Sequence, residues 1–129
     1  MSIDEKTALI LYAHGARDPH WAEPFERLRE RACALAPGRT IVLAFLEHCA
    51  PDLPTAARKV REQGAERVRV VPIFFGRGGH LRQDLPKQLE AAREAVPGLE
   101  IEATEAAGEN EAILDALARF ALRARPTGD

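Results

Sequence analysis

Four short apolar runs alternate with four amphipathic ones along these 129 residues, and that alternation leaves few folds open. Thr7 to Ala13, Thr40 to Leu46 and Val68 to Phe75 are nearly continuous apolar stretches, as expected of strands covered on both faces. Leu99 to Ala103 differs, because Leu99, Ile101 and Ala103 alternate with Glu100 and Glu102. One polar face marks an edge strand, protected by its charges. Between the runs lie helical patterns. Asp18-Pro19 opens the first, an N-cap followed by proline. It is followed by a stripe of Trp21, Phe25, Leu28, Ala32 and Leu35 that stops at Pro37-Gly38. The second runs from the capping residue Asp52 through Leu53, Ala56, Ala57 and Val60 to Gly64. The third starts at Asp84 and carries Leu85, Leu89, Ala92 and Val96 to the break at Pro97-Gly98. The fourth, Asn110 to Ala124, is expected to bury Ile113, Leu117, Phe120 and Ala121, with Asp115 and Arg119 paired one turn apart on its wetter side.

The order βαβαβαβα, under the handedness and packing rules for crossovers, predicts an α/β fold. It is a four-stranded parallel sheet of order 2-1-3-4 with helices on both faces. No repeat or linker divides residues 1–129, so a single domain is expected, with the tail 125–129 of low order. A net charge of −2 argues against a nucleic-acid partner. No stretch approaches the roughly 20 apolar residues of a membrane span. The opening MSIDEKTALILYAHG has no basic leader, so a cytoplasmic location without a membrane partner is expected. Cys33 and Cys49 form no CxxC pair and read as unpaired thiols in apolar surroundings.

Ligands of open α/β sheets bind outside the carboxyl ends of the strands, where strand order reverses. With order 2-1-3-4 that point lies between the first and third strands. His14-Gly15 ends the first strand. His80 follows the third, after the loop Gly76-Arg77-Gly78-Gly79, and the second ends in Glu47-His48. Residues distant in the chain thus share one rim. Each has a plainer reading: His14 bonded to a backbone carbonyl, His80 as a helix-start residue, Glu47 paired with Arg17 or Arg77. His48 is expected to be peripheral, since successive strand residues face opposite ways. His20 falls in a first helical turn. Of Phe74 and Phe75, one must enter the core while the other is free to line a cleft.

Other chemistries find little support. The loop glycines suit a tight turn or close approach to a flat ligand, but there is no GxxxxGK[ST] and no GxGxxG after the first strand. No organic cofactor is expected. GxSxG, HExxH and zinc-type CxxC spacing are missing too, and Ser2 is the only serine, which argues against serine-nucleophile hydrolysis.

Three linked segments carry a family pattern. They are His14-Gly15-Ala16-Arg17-Asp18-Pro19, then Phe45-Leu46-Glu47 with Pro51, then Val71-Pro72-Ile73-Phe74-Phe75 leading to Gly78-Gly79-His80 and Asp84-Leu85-Pro86. In order and spacing they resemble the short form of the class II tetrapyrrole chelatases, the sirohydrochlorin cobalt- and iron-chelatases. The resemblance implies a flavodoxin-like chelatase fold that inserts Co²⁺, Fe²⁺ or Ni²⁺, as substrate, into sirohydrochlorin for cobalamin or sirohaem synthesis. It implies that His14 and His80 contact the metal and accept protons, and that Glu47 orients, ligates or takes the second proton. Arg17, Arg77 and Arg82, with the backbone at Gly78 and Gly79, become candidates for holding the substrate's carboxylates. It also implies a homodimer, because short members pair whereas longer ones carry two such domains in one chain. Ala16 departs from the family, which has serine there. Imidazole suits borderline divalent metals and titrates near neutrality, so the chemistry fits independently. A non-catalytic tetrapyrrole or metal carrier, and a regulatory or interface domain without metal, remain as alternatives.

Overall fold

The computed structural model describes residues 7–76 and 80–128, and for His80 and Leu81 the backbone alone. The elements are β1 (Thr7–Ala13), a 3-10 turn (Pro19–Ala22), α1 (Glu23–Leu35), β2 (Ile41–Phe45), α2 (Leu53–Glu62), β3 (Arg67–Pro72), α3 (His80–Ala95), β4 (Glu100–Ala103), a second 3-10 turn (Ala107–Glu109) and α4 (Glu111–Arg123). The sheet order is β2-β1-β3-β4 and every pairing is parallel. The predicted order and class both hold. β1 sits in the middle with Tyr12 opposite Ala44 on one side and Pro72 on the other. β4 is the edge strand that its glutamates announced. Glu100 lies exposed and pairs with Arg67 of β3, 2.6 Å away.

Strand alternation divides the core into two layers. Ala8, Ile10, Tyr12, Val42, Ala44, Val68, Val70 and Ile101 point toward α2 and α3, where Leu53, Ala56, Ala57, Val60, Leu85, Leu89, Ala92 and Val96 meet them. All four apolar positions read from the sequence of α2 are buried. Leu11, Ala13, Ile41, Leu43 and Phe45 point the other way, onto Trp21, Phe25, Ala32 and Cys33 of the α1 layer.

The structure corrects three readings. α3 begins at His80, four residues before Asp84, so Asp84 and Pro86 lie inside the helix. An Asp-Leu-Pro sequence resembles a helix start, but a proline near the first turns forfeits only one internal hydrogen bond, and the Leu85–Val96 face holds the helix in place. In α1 the predicted stripe is too long: Leu28 lies at its margin, and Leu35, the last residue of the helix, is 87% exposed. The third concerns α4, none of whose residues is buried. Ile113, Leu117 and Phe120 are 41, 43 and 65% exposed, because the helix does not lie on the sheet. Its expected Asp115–Arg119 pair does form, at 3.3 Å. Both cysteines are free and half-buried.

Beyond their last paired residues, β1 and β2 stay joined. Leu46 N–H donates to Ala13 O (2.9 Å) and Glu47 N–H to His14 O (3.1 Å). Gly15 then turns with φ +94°, and its α-carbon lies so near β2 that an added Cβ would stand 1.7 Å from the Glu47 carbonyl oxygen. Only glycine satisfies both the left-handed backbone and that approach. Asp52 caps α2 by accepting from Thr55 N–H at 2.9 Å. Hydrogen bonds from the Thr55 hydroxyl and amide hold its carboxyl below the ordinary aspartate range.

Two stability predictions follow from these local features. Gly64 also has positive φ, +98°, but no atom within 4 Å of an added Cβ. Gly64→Ala is therefore expected to cost only the backbone term, about 1 kcal/mol, and Gly15→Ala at least about 2–3 kcal/mol, since the Glu47 carbonyl must also move. Urea unfolding of the two variants checks this, and equal losses would contradict it. For Asp52→Asn, which keeps a cap without the charge, the deficit relative to the parent is expected above the unfolded aspartate pKa. It should fade as pH falls through the lower folded value. Unfolding measured across the acid range reads that difference directly.

Candidate functional site at the carboxyl rim of the sheet

The ends of β1, β2 and β3 carry the rim, and the clasp just described sets its first two members. Because Glu47 N–H bonds the carbonyl of His14, the two residues are backbone neighbours although 33 positions apart in sequence. Both side chains are exposed at the sheet edge, so they are open to a ligand rather than spent in the core. His14 is not loose, however. Its ring meets Phe74 edge-on, centroids 5.9 Å apart and planes at 62°, and Phe74 in turn contacts Tyr12 at 5.9 Å. Phe74 is 7% exposed while Phe75 is 73% exposed, the expected division, although β3 ends at Pro72 and not at Phe75 as the sequence suggested. A buried aromatic just past the end of β3 thus supports an imidazole just past the end of β1, which orients that ring across the switch point.

The loop after β2 brings in two residues that the sequence reading set aside, His48 as peripheral and Cys49 as a thiol in apolar surroundings. β2 stops at Phe45, and His48 takes a left-handed backbone, φ +66°. Strand alternation no longer applies there. His48 turns back on its neighbour, its Nε2 3.5 Å from Glu47 Oε2, so among the described residues Glu47 pairs with His48 rather than with Arg17, while Arg77 lies outside the described residues. Nothing in the residue types announces a positive φ at a histidine. Cys49 adds a second tie, its thiol donating to the carbonyl of Ala16 at 3.2 Å, while Cys49 N–H bonds Glu47 O at 2.8 Å. The loops after β1 and β2 are therefore held by backbone and thiol contacts. No hydroxyl at position 16 takes part.

His80 is the first residue of α3, and it enters from the same edge, past the end of β3. Its side chain lies outside the described residues, and so do Arg77, Gly78 and Gly79. Arg17 and Arg82 are described and exposed. His20 is engaged elsewhere: its amide donates to Asp18 at 2.9 Å and its Nδ1 lies 3.0 Å from Glu23. Among the described residues no three donors of the His, Cys, Asp and Glu types converge on one point. His14 and Glu47, joined at the backbone, and His48, paired with Glu47, stand on one rim without forming such a set.

Beneath the rim the Tyr12 hydroxyl is buried and finds no hydrogen-bond partner among the described residues. Burial, and then the carboxylates of Asp84 and Asp52, raise its pKa well above the ordinary tyrosine value, so it stays neutral. A cavity of about 470 Å³ lies at the opposite, amino end of the sheet, between Ala36–Thr40 and Gln63–Ala65. Its lining has no imidazole, thiol or carboxylate, and it offers no comparable chemistry. No helix among the described residues is long and apolar enough to cross a membrane.

Known proteins with this arrangement are consistent in kind. A sirohydrochlorin cobaltochelatase from Methanopyrus kandleri is 33% identical over 82 residues, 64% of this chain and 57% of that one, so the match takes in less than two thirds of the relative. A crystal structure of a CbiX protein from Marinobacter aquaeolei VT8 superposes with TM-score 0.74 at 33% identity, covering 92% of this chain and 99% of the other. The sirohydrochlorin chelatase SirB from Bacillus subtilis subspecies spizizenii, solved with cobalt, shares the fold. Its TM-score is 0.76 at 23% identity over 95% of this chain, but only 55% of SirB. The CbiX family model matches residues 8–124, nearly the whole of the described structure, and the chain belongs to the CbiX family.

Proposed function

We propose that this chain inserts a divalent metal, Co²⁺ or Fe²⁺, into sirohydrochlorin, and that His14, Glu47 and His80 do the chemistry. The observation that carries the reading is the pairing of His14 with Glu47 at the ends of β1 and β2, beside the sheet's switch point, held by one backbone hydrogen bond and an obligatory glycine. The relatives named above include chelatases of this substrate, one a cobaltochelatase and one solved with cobalt.

Metal insertion breaks two pyrrole N–H bonds, forms bonds from the ring nitrogens to the incoming cation, and releases two protons. A group near the ring must accept those protons, and a weakly held cation must be handed over. His14 meets both needs: neutral imidazole binds borderline divalent metals and accepts a proton near neutrality. In this reading His80 acts from the other side of the switch point, a position its place at the start of α3 supports. Glu47, paired with His48, takes the second proton or completes the ligand set. A set this small leaves positions for ring nitrogens, as a catalytic metal site must. Arg17 and Arg82 (both exposed) and Arg77 pair with peripheral carboxylates, while Gly78 and Gly79 let backbone approach the flat ring. Nickel fits the same donors. No organic cofactor is needed, and the reaction is placed in the cytoplasm.

One domain offers a single rim, and a broad macrocycle needs a second wall, since ligand sites enclose most of what they bind. Two copies related by a two-fold axis supply it.

The test is an anaerobic assay following the ring absorbance of sirohydrochlorin with Co²⁺, Fe²⁺ and Ni²⁺. The parent protein is expected to metallate the ring faster than free solution. His14→Ala and His80→Ala are each expected to lose about 100-fold or more, and Glu47→Gln less, with far-UV circular dichroism unchanged. Ring binding without acceleration would instead identify a carrier.

A further inference from the structure

The chain stays held after β3 ends. Ile73 N–H donates to Tyr12 O of β1 at 2.7 Å, and on the other edge Gly108 N–H donates to Phe74 O at 2.9 Å. Thr104 N–H bonds Val70 O, also at 2.9 Å, so the segment after β4 follows β3 up to this point. Gly108 then lies so close to Phe75 that an added Cβ would stand 1.9 Å from its carbonyl oxygen and 2.5 Å from its α-carbon. Only a residue without a side chain passes there. The turn that carries Gly108 is itself anchored. Ala106 is fully buried in the layer facing α2 and α3, and its N–H donates to Glu109 at 3.0 Å. Backbone at 73–75 is thus gripped from both sides.

That grip presents an aromatic ring to solvent. Phe74 turns inward and supports His14, whereas Phe75 is 73% exposed. Every other exposed large apolar side chain among the described residues belongs to α1 or α4, so Phe75 alone stands on the carboxyl rim. A phenyl ring in water is unfavourable, and a backbone held on both edges gives it no route into the core. A ligand that covers it gains the burial without first having to order the chain. The space ahead is open. The next residue, Gly76, has no side chain, and nothing lies within 4 Å of a Cβ added there.

We propose that Phe75 carries one face of the tetrapyrrole, its phenyl ring packed against the flat macrocycle while His14 faces the ring's centre. This rests on the sirohydrochlorin reading above and names the residue that holds the substrate's apolar face. Distance agrees. The rings of His14 and Phe74 are 5.9 Å apart, and Phe75 follows Phe74 by one Cα step, about 3.8 Å. Four pyrroles around a cation at His14 extend several times the metal–nitrogen distance of about 2 Å in every direction, far enough to cover so near a neighbour. Chemistry agrees too. The macrocycle has apolar, π-rich faces and a rim of carboxylates; Arg17 and Arg82 suit the rim, and Phe75 suits the face. A phenyl ring neither binds the cation nor accepts a proton. Its contribution is affinity for the macrocycle.

The test is an anaerobic absorbance titration of the full chain with metal-free sirohydrochlorin, with sedimentation run on the same samples. Phe75→Ala is expected to raise the Kd for the ring about 10-fold or more, and Phe75→Trp, which keeps a flat apolar face, to restore it. In the metallation assay the Phe75→Ala loss is expected in KM for the ring, whereas that of His14→Ala falls on kcat. The sedimenting mass should match the parent's. A Kd within about twofold of the parent for Phe75→Ala overturns the proposal. A loss of affinity that tracks a fall in sedimenting mass also overturns it, because Phe75 then joins copies of the chain. A parent that binds no sirohydrochlorin overturns this contact and the chelatase reading together. A parent that binds the ring without metallating it, and loses affinity on Phe75→Ala, supports the contact and overturns only that reading.

Discussion

Gly15 and the Glu47 carbonyl touch where β1 and β2 end, and the rest of the rim is arranged around that contact. A side chain at position 15 would occupy the space of the carbonyl oxygen, so backbone must stand where side chains ordinarily separate strand ends. The close approach allows Glu47 N–H to reach His14 O and carries the strand pairing past the last regular residue. A carboxylate and an imidazole then leave adjacent backbones toward solvent. Cys49 repeats the effect one step outward by binding the Ala16 carbonyl. None of this draws on the hydrophobic layers directly, yet without their packing β1 and β2 would not hold the register that puts Gly15 opposite Glu47.

Much of this was legible in the sequence, for a physical reason. Strands buried on both faces must be continuously apolar, and Thr7 to Ala13 is; crossovers in parallel sheets have one hand, which leaves few strand orders. Those two facts lead to the carboxyl rim and to His14, Glu47 and His80 before any coordinates. Ala56, Ala57 and Val60 were found because α2 is short, capped at Asp52 and packed along its whole length. What sequence could not give depended on backbone conformation or on where an element is delivered. His48 was set aside on an alternation that stops applying once φ becomes positive. Asp84 looked like a cap because a residue pattern cannot tell a helix start from a helix that tolerates proline.

α4 is the instructive miss. Its periodicity identifies an apolar face correctly, and a sequence reading takes such a face to be buried within its own chain. The hydrogen bonds from Thr104 to Asn110 decide otherwise, and they are set by small residues, Ala106 and Gly108, that carry no hydrophobic signal. The apolar face of an amphipathic helix is thus legible in a sequence, while its burial is not.

The central claim is that the cation handed to the macrocycle is held by histidines of the rim and by no others. Nuclear magnetic resonance of ¹⁵N-histidine-labelled protein, titrated anaerobically with Co²⁺, addresses it residue by residue through paramagnetic shifts. With His14, His20, His48 and His80 assigned, the account predicts that the ring signals of His14 and His80 move together at substoichiometric Co²⁺. His20, tied to Asp18 and Glu23 on the exposed first turn, should remain in place. A titration in which His20 responds first, or in which His14 is unmoved at saturation, would contradict it.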